Sequence, residues 1–155
     1  MNAKHVVMAF FIVVLWGLNF VALKIAVLSL PPIFLAGLRF LLISIPWIFF
    51  VEKPKVSKRQ FITLPITLGV LQYSLLYYGM STGLSAGLSA VILQTQSFFT
   101  VIMSTILIKE KPRLNEILGL LIGALGVMIL LINNNGDFKI EAVLIILAAA
   151  ISWGI

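Results

Sequence analysis

Long apolar runs constrain this chain more than any other feature of its sequence. A bilayer core of about 30 Å requires roughly 20 apolar residues per helix. Five runs of that length are present, and a sixth is still apolar at the last residue: Val6–Leu28, Pro32–Val51, Phe61–Met80, Leu88–Lys109, Leu114–Ile132 and Ile140–Ile155. Each run is continuous rather than alternating, which favours helices over strands. The sequence therefore predicts an all-α membrane protein with five transmembrane helices and the start of a sixth.

Composition excludes the main soluble classes. Hydrophobic residues make up 61% of the 155 residues, charged residues make up 10%, and the mean hydropathy is +1.16. Soluble domains carry about 25% charged residues, and disordered chains combine low hydrophobicity with high charge. Because the chain has no cysteine and one histidine, it lacks the residues for disulfides or thiolate sites, and a zinc site is disfavoured. Acids and histidines do not cluster as a membrane enzyme would require, so we expect no enzyme activity, metal or cofactor.

The distribution of lysine and arginine predicts the orientation in the bilayer. The N-terminus and the second and fourth connectors carry eight of these residues: Lys4, Lys53, Lys55, Lys58, Arg59, Lys109, Lys111 and Arg113. The other connectors carry only Lys139. The positive-inside rule then places the N-terminus and the basic connectors in the cytoplasm. Because these residues flank the apolar runs, the net charge of +6 does not indicate nucleic acid as a partner.

A short sequence similarity relates the first apolar run to the last. Val14-Leu15-Trp16-Gly17-Leu18 is similar to Ile151-Ser152-Trp153-Gly154-Ile155, with five runs between the two starts. An odd number of spans places a second copy in the opposite orientation, as in transporters with inverted repeats. We therefore expect a five-helix repeat over residues 1–132, a periplasmic connector over 133–139, and the truncated start of a second repeat over 140–155. The chain would be the first half of a longer transporter. Alternatives left open are a fragment that does not transport, an assembly partner for a separate second half, and a homodimer.

Polar side chains inside the apolar runs are the candidate functional residues, because burying them in a bilayer is costly. A projection at about 100° per residue places Trp16, Asn19, Phe20 and Lys24 on one face of the first helix. In the third helix it groups Gln72, Tyr73, Tyr77 and Met80. In the fourth it groups Gln96 and Thr100 with three serines, and it directs Gln94 to the opposite side.

Depth is a sharper criterion than the projection. With a rise of about 1.5 Å per residue, Asn19, Arg39, Gln72 and Gln96 all lie near the midplane, where transporters bind substrate. Since no acidic residue lies within the first five runs, we expect Arg39 to favour a carboxylate-bearing small molecule. The missing acid also disfavours an exporter of lipophilic cations. Lys24 lies near the outer boundary, where a lysine can snorkel.

The expected contact residues form two sets. The main set is Trp16, Asn19, Arg39, Gln72, Tyr73 and Gln96, and the secondary set is Lys24, Tyr77, Gln94 and Thr100. The alternative is a purely structural role, in which the amide side chains form hydrogen bonds between neighbouring helices that contribute about 0.6 kcal/mol per contact. Gly83-x-x-x-Gly87 and Gly119-x-x-x-Gly123 are interpreted as sites of ordinary helix packing.

Several of these elements together resemble the EamA family of the drug/metabolite transporter superfamily. They are Trp16-Gly17-Leu18-Asn19-Phe20-Val21 with Lys24, Ala36-Gly37-Leu38-Arg39-Phe40, Leu93-Gln94-Thr95-Gln96, and Lys109-Glu110-Lys111-Pro112, which has lysine where the family usually has glycine. The glutamine cluster and the Leu-Arg-Phe element are most similar to exporters of O-acetylserine and cysteine.

The resemblance implies a ten-helix protein of two inverted five-helix repeats with both termini in the cytoplasm. It implies export of amino acids or related metabolites across the inner membrane, by alternating access around the midplane site. Export of other drugs or metabolites is the remaining alternative.

Overall fold

The structure is a computed structural model that describes residues 2–52, 55–133 and 139–154. All regular structure in these ranges is helical, as predicted. The helices are α1 (Ala3–Ser29), α2 (Pro32–Ile48), α3 (Lys58–Leu64), α4 (Gln72–Ser81), α5 (Ala86–Leu93), α6 (Gln96–Met103), α7 (Leu114–Asn133) and α8 (Ile140–Gly154), with π-helical segments at Pro65–Leu71 and Ser104–Ile108. The predicted cytoplasmic Lys53 and most of the predicted connector, residues 134–138, lie outside the described residues.

Four continuous helical stretches are long and apolar enough to cross a membrane: Ala3–Ser29, Lys58–Ser81, Ala86–Ile108 and Leu114–Asn133. Two further apolar helices, α2 and α8, are shorter, with 17 and 15 residues. The second predicted span was expected to reach Val51, but α2 ends at Ile48, where Phe49 and Phe50 form a turn. Within the described residues, four stretches are thus long enough to span a membrane, and the count of five helices and the start of a sixth stays a prediction.

Proline and a capping box determine the local form of the second long stretch. The Ser57 hydroxyl accepts from the Gln60 backbone, and the Gln60 side chain accepts from the Ser57 backbone, so α3 begins with both orphan donors satisfied. Pro65 has no N–H to donate inside the helix, and the π-helical segment begins at this residue. The α-helical pattern resumes at Gln72, the first residue of α4.

The third long stretch is interrupted at its middle. The Thr95 amide donates to the Ile92 carbonyl and the Phe98 amide to the Thr95 carbonyl, which are three-residue rather than four-residue hydrogen bonds. Such a tightened turn advances by about 120° per residue instead of 100°. Gly83 occupies the turn before α5 with a φ of 125°, a conformation that suits glycine. Gly87 lies inside α5.

The core forms where α8 packs against α4, α5 and α6. Six residues of α8 are buried: Ala142, Val143, Ile146, Ala149, Ala150 and Ser152. Gly79 of α4 permits the closest approach, because a Cβ there would lie 2.6 Å from Cγ1 of Ile146 and 3.2 Å from the Ala142 carbonyl oxygen. The segment read as the start of a second repeat is therefore an integral part of the packed helices.

The predicted glycine packing motifs contribute less than expected. A Cβ at Gly123 would lie 3.6 Å from the ring of Phe98, whereas Gly119, Gly83 and Gly87 have no atom within 4 Å of such a Cβ. No residue of α7 is buried, and α1 buries only Phe20, Leu23 and Val27. Most large apolar side chains of both helices are exposed, as expected for surfaces that contact lipid.

Candidate functional site

Residues from six helices and the α5–α6 turn line a cavity of about 450 Å³. Its lining comprises Ile12, Leu15, Trp16, Asn19, Phe20, Leu23, Arg39, Gln72, Tyr73, Leu76, Leu93, Gln94, Gln96 and Trp153. All six residues of the main predicted set are among them. Ligand cavities typically measure about 300–1,000 Å³, so this one has room for a small metabolite.

Among the residues that the structure describes, Arg39 is the only charged one that lines the cavity. One of its guanidinium nitrogens, Nη1, donates to the phenolic oxygen of Tyr77 at 3.1 Å and to Oδ1 of Asn19 at 3.4 Å. Both acceptors are neutral, so these contacts orient the guanidinium without cancelling its charge. An arginine presents five N–H donors, which leaves others for an anionic group in the cavity.

A group of aromatic rings packs against the guanidinium of Arg39. The Arg39 Cζ atom lies 4.8 Å from the centroid of the Tyr73 ring, within the range of a cation–π contact. Tyr73 in turn packs edge-to-face on Phe40 at 5.2 Å and on Tyr77 at 5.9 Å between ring centroids. Tyr77 is fully buried and does not line the cavity itself. It acts on the cavity through Arg39, since its ring is fixed and its hydroxyl accepts the hydrogen bond.

Two glutamine side chains of the cavity wall hold unpartnered oxygens. The Oε1 atoms of Gln72 and Gln96 are shielded from solvent and accept no hydrogen bond from the residues that the structure describes. Gln72 is 2% exposed. A buried acceptor without a partner costs about 1–3 kcal/mol, and native proteins leave few such groups. The two glutamine oxygens at the cavity wall are therefore acceptors that remain available for a hydrogen-bond donor.

Gln94 lies in the tightened turn between α5 and α6. It is exposed, and it lines both the cavity that contains Gln96 and a second groove beside α7. Its projected direction away from Gln96 stays a prediction.

Besides Tyr77, the secondary candidates Lys24 and Thr100 also lie away from the cavity lining. The Lys24 ammonium group donates to the Met80 carbonyl at 2.7 Å, near the C-terminal end of α4, where a positive charge is favoured by the helix dipole. This contact joins α1 to α4 and differs from the expected snorkelling toward the boundary. Thr100 is exposed, and its hydroxyl donates to the Gln96 carbonyl at 2.9 Å.

Trp153 of α8 lines the cavity although it was not among the expected contact residues. The sequence contained an indication of this role, because Trp153-Gly154 is similar to Trp16-Gly17 of the first apolar run. Gly154 lets α8 approach α6 closely, since a Cβ there would lie 2.6 Å from the Phe99 Cβ and 3.0 Å from the Thr100 backbone nitrogen. Trp153 is thereby held next to the α5–α6 turn, and both indoles contribute to one cavity.

Apolar helices surrounding a cavity with one unneutralised arginine and several amides define a multi-pass membrane protein of the small-molecule transporter class. The model of the EamA-like transporter family matches residues 3–132. The chain belongs to this family, which makes it a transporter family member and not an enzyme. Its setting is therefore the lipid bilayer, and the ligands of the family are small molecules.

Two similar proteins are each named "Probable amino-acid metabolite efflux pump", one from Escherichia coli (strain K12) and one from Salmonella typhimurium. Both are 36% identical to this chain over 155 residues, which is 99% of the chain and 52% of each relative. An uncharacterized transporter of Bacillus subtilis is 27% identical over 93% of the chain and 52% of its own length. The chain thus spans about half the length of these relatives. No solved structure matches it.

Proposed function

We propose that this chain binds and exports amino acids or closely related small metabolites by alternating access. The observation that carries the proposal is Arg39, whose charge lines the cavity while its two hydrogen-bond acceptors are neutral. A carboxylate is the group that fits this arrangement, because it accepts paired N–H donors of a guanidinium in one plane. The names of the two relatives that are 36% identical agree with this substrate class.

The rest of the lining fits a small amphipathic solute. Asn19, Gln72, Gln94 and Gln96 supply amide groups, while Trp16 and Trp153 supply apolar ring surface for a side chain. The residues contribute binding and orientation only, since transport forms no covalent bond. In alternating access, helices rock around a fixed site near the midplane, and the depth of the four polar residues is consistent with that position.

The proposed topology follows from the charge distribution. Residues 1–132 form one repeat with a cytoplasmic N-terminus in the inner membrane, 133–139 form a periplasmic connector, and 140–155 begin a second repeat of opposite orientation. The close packing of α8 on α4 and α6 supports a second repeat that meets the first along this surface.

Reconstitution of the 155-residue chain tests the function. Radiolabelled L-serine serves as the probe, with binding measured in nanodiscs and counterflow measured in proteoliposomes. We expect Arg39→Gln to weaken serine binding by about tenfold or more, because a hydrogen bond to a charged group contributes about 1.5–3 kcal/mol. Arg59→Gln is the matched control, since Arg59 lies on exposed α3 outside the cavity.

The outcomes separate the alternatives. Equal serine binding by wild type and Arg39→Gln, at equal protein recovery, would contradict the role of Arg39. Binding without counterflow would contradict transport by this chain. It would favour the alternative that the chain is an assembly partner that does not transport by itself. Failure of a panel of amino acids and 2-hydroxy acids to bind would contradict the proposed substrate class.

A further inference from the structure

The amide oxygens of Gln72 and Gln96 are the most unusual polar atoms of the cavity wall. They belong to different helices, α4 and α6, and both side chains line the same cavity. Both oxygens are shielded and unpartnered within the described part of the chain. A carbonyl oxygen can only accept a hydrogen bond, so whatever satisfies these two atoms must carry N–H or O–H donors.

We propose that Gln72 and Gln96 form an acceptor pair for the ammonium group of a zwitterionic substrate whose carboxylate lies at Arg39. The inference rests on the proposed function and specifies which residues recognise the ammonium group of an amino-acid substrate. It assigns the two ends of the substrate to two separate parts of one cavity wall. Arg39 and its neutral partners hold one end, and the two amides hold the other.

Charge favours a zwitterion over a simple amine. Within residues 2–52, 55–133 and 139–154, Arg39 is the only charged side chain in the lining, so this lining carries a net positive charge and opposes a ligand that is only cationic. An ammonium group that is covalently linked to a carboxylate enters without net charge. Amide oxygens then solvate the ammonium without adding the negative charge that an acid would bring.

Competing donors within the protein do not occupy the pair. The Asn19 oxygen already accepts from Arg39, whereas no described group donates to Gln72 or Gln96 Oε1. The terminal torsion of glutamine is broad, and a half-turn exchanges the amide oxygen and nitrogen without moving the backbone. Either glutamine can therefore present its oxygen to the cavity when a donor arrives.

Three related probes distinguish the contributions of the carboxylate and the ammonium group to binding. L-Serine carries both groups, glycerate replaces the ammonium with a hydroxyl, and ethanolamine lacks the carboxylate. Their binding to the full chain in nanodiscs is measured by competition against radiolabelled serine and, independently, by direct calorimetric titration of each probe. We expect serine to bind at least about tenfold more tightly than glycerate, because glycerate offers one donor for two acceptors. Ethanolamine should bind more weakly than either.

Substitution then tests the assignment to the glutamines. We expect Gln72→Leu and Gln96→Leu each to reduce the preference for serine over glycerate to about threefold or less, with glycerate binding little changed. Thr63→Val is the matched control, because Thr63 is exposed on α3 and lies outside the cavity. Circular dichroism and gel filtration identify any variant that fails to fold, and the two leucine variants serve as independent tests.

The results distinguish the inference from the function on which it rests. Equal binding of serine and glycerate by wild type would overturn the acceptor pair while leaving a carboxylate exporter intact. An unchanged preference in both folded leucine variants would also overturn it. Absence of binding by all three probes would overturn the proposed function and the inference together.

Discussion

Arg39 donates a hydrogen bond of 3.1 Å to the phenolic oxygen of Tyr77, which lies 38 residues later in the chain. Arg39 belongs to α2 and Tyr77 to α4, so this contact joins two helices at the cavity. Tyr77 is completely buried, and its position therefore depends on the packing of α4 against its neighbours. The charge at the cavity is thus held in place by the helix core.

Removal of the Tyr77 hydroxyl measures this contact. Tyr77→Phe keeps the buried ring but leaves Arg39 with one fewer acceptor. We expect the free energy of unfolding to fall by about 1 kcal/mol, the usual net contribution of such a hydrogen bond, and serine binding to weaken. Thermal melting in detergent and nanodisc binding are the measurements. Tyr78→Phe is the control, since Tyr78 is 52% exposed; equal effects of the two substitutions would contradict the assigned role.

Lys109 ends the third long stretch in a strained conformation. Its φ of 60° and ψ of 26° lie in the left-handed region, which costs a residue with a Cβ roughly 1–2 kcal/mol. Glycine is favoured at this kind of helix end, and glycine is the residue that the family resemblance expects there. We predict that Lys109→Gly raises the free energy of unfolding by about 1 kcal/mol, measured by thermal melting.

A second lysine of the same loop provides the control for this prediction. Lys111 is also exposed and also removes one positive charge when replaced by glycine, but its φ is not positive. Lys111→Gly should therefore leave stability unchanged or reduce it slightly. A stabilisation of equal size in both variants would mean that the loss of charge, and not the backbone conformation, is responsible.

Sequence reasoning predicted the helices well and the contacts between them less well. The bounds of the long helices follow directly from the apolar runs, because the hydrophobic length of a bilayer limits them. All six main candidate residues line one cavity, and four of them, Asn19, Arg39, Gln72 and Gln96, were selected because they are polar at a similar predicted depth. The tightened turn at Thr95 was not predicted, because a projection with a constant rotation per residue assumes a regular helix.

The sequence pattern also did not predict the positions at which two helices approach each other closely. The G-x-x-x-G spacing pointed to Gly83 and Gly119, whereas the tight contacts occur at Gly79 and Gly154. A spacing rule gives the face of one helix but not the partner that packs on it. Gly79 matters only because α8 lies against α4, and that neighbour comes from a segment more than 60 residues away.

The α4–α8 contact can be tested at Gly79. A methyl group there would meet Cγ1 of Ile146 at 2.6 Å, so Gly79→Ala should reduce the free energy of unfolding by about 1–3 kcal/mol through overpacking. Gly87→Ala is the matched control in α5, where nothing lies within 4 Å, and it should be neutral or stabilising.

A double-mutant cycle attributes the effect to one neighbour. Ile146→Ala alone should destabilise the protein by leaving a cavity, at about 2–5 kcal/mol. In the Ile146→Ala background, Gly79→Ala should cost much less than in wild type, because the clashing side chain is gone. Simple additivity of the two substitutions in thermal melting would show that the α4–α8 contact does not limit the space at Gly79.

Orientation in the membrane is testable because the chain contains no cysteine. We predict that Lys55→Cys, in the basic second connector, is cytoplasmic, and that Ser29→Cys, at the end of α1, faces the periplasm. Both positions are exposed, so a thiol there is accessible to reagent. In intact cells a maleimide that does not cross the inner membrane should label Ser29→Cys and not Lys55→Cys, whereas inverted vesicles should give the opposite result. Labelling of both positions from the same side, or the reverse pattern, would contradict a cytoplasmic N-terminus. It would also contradict the hypothesis that the eight basic flanking residues determine the topology.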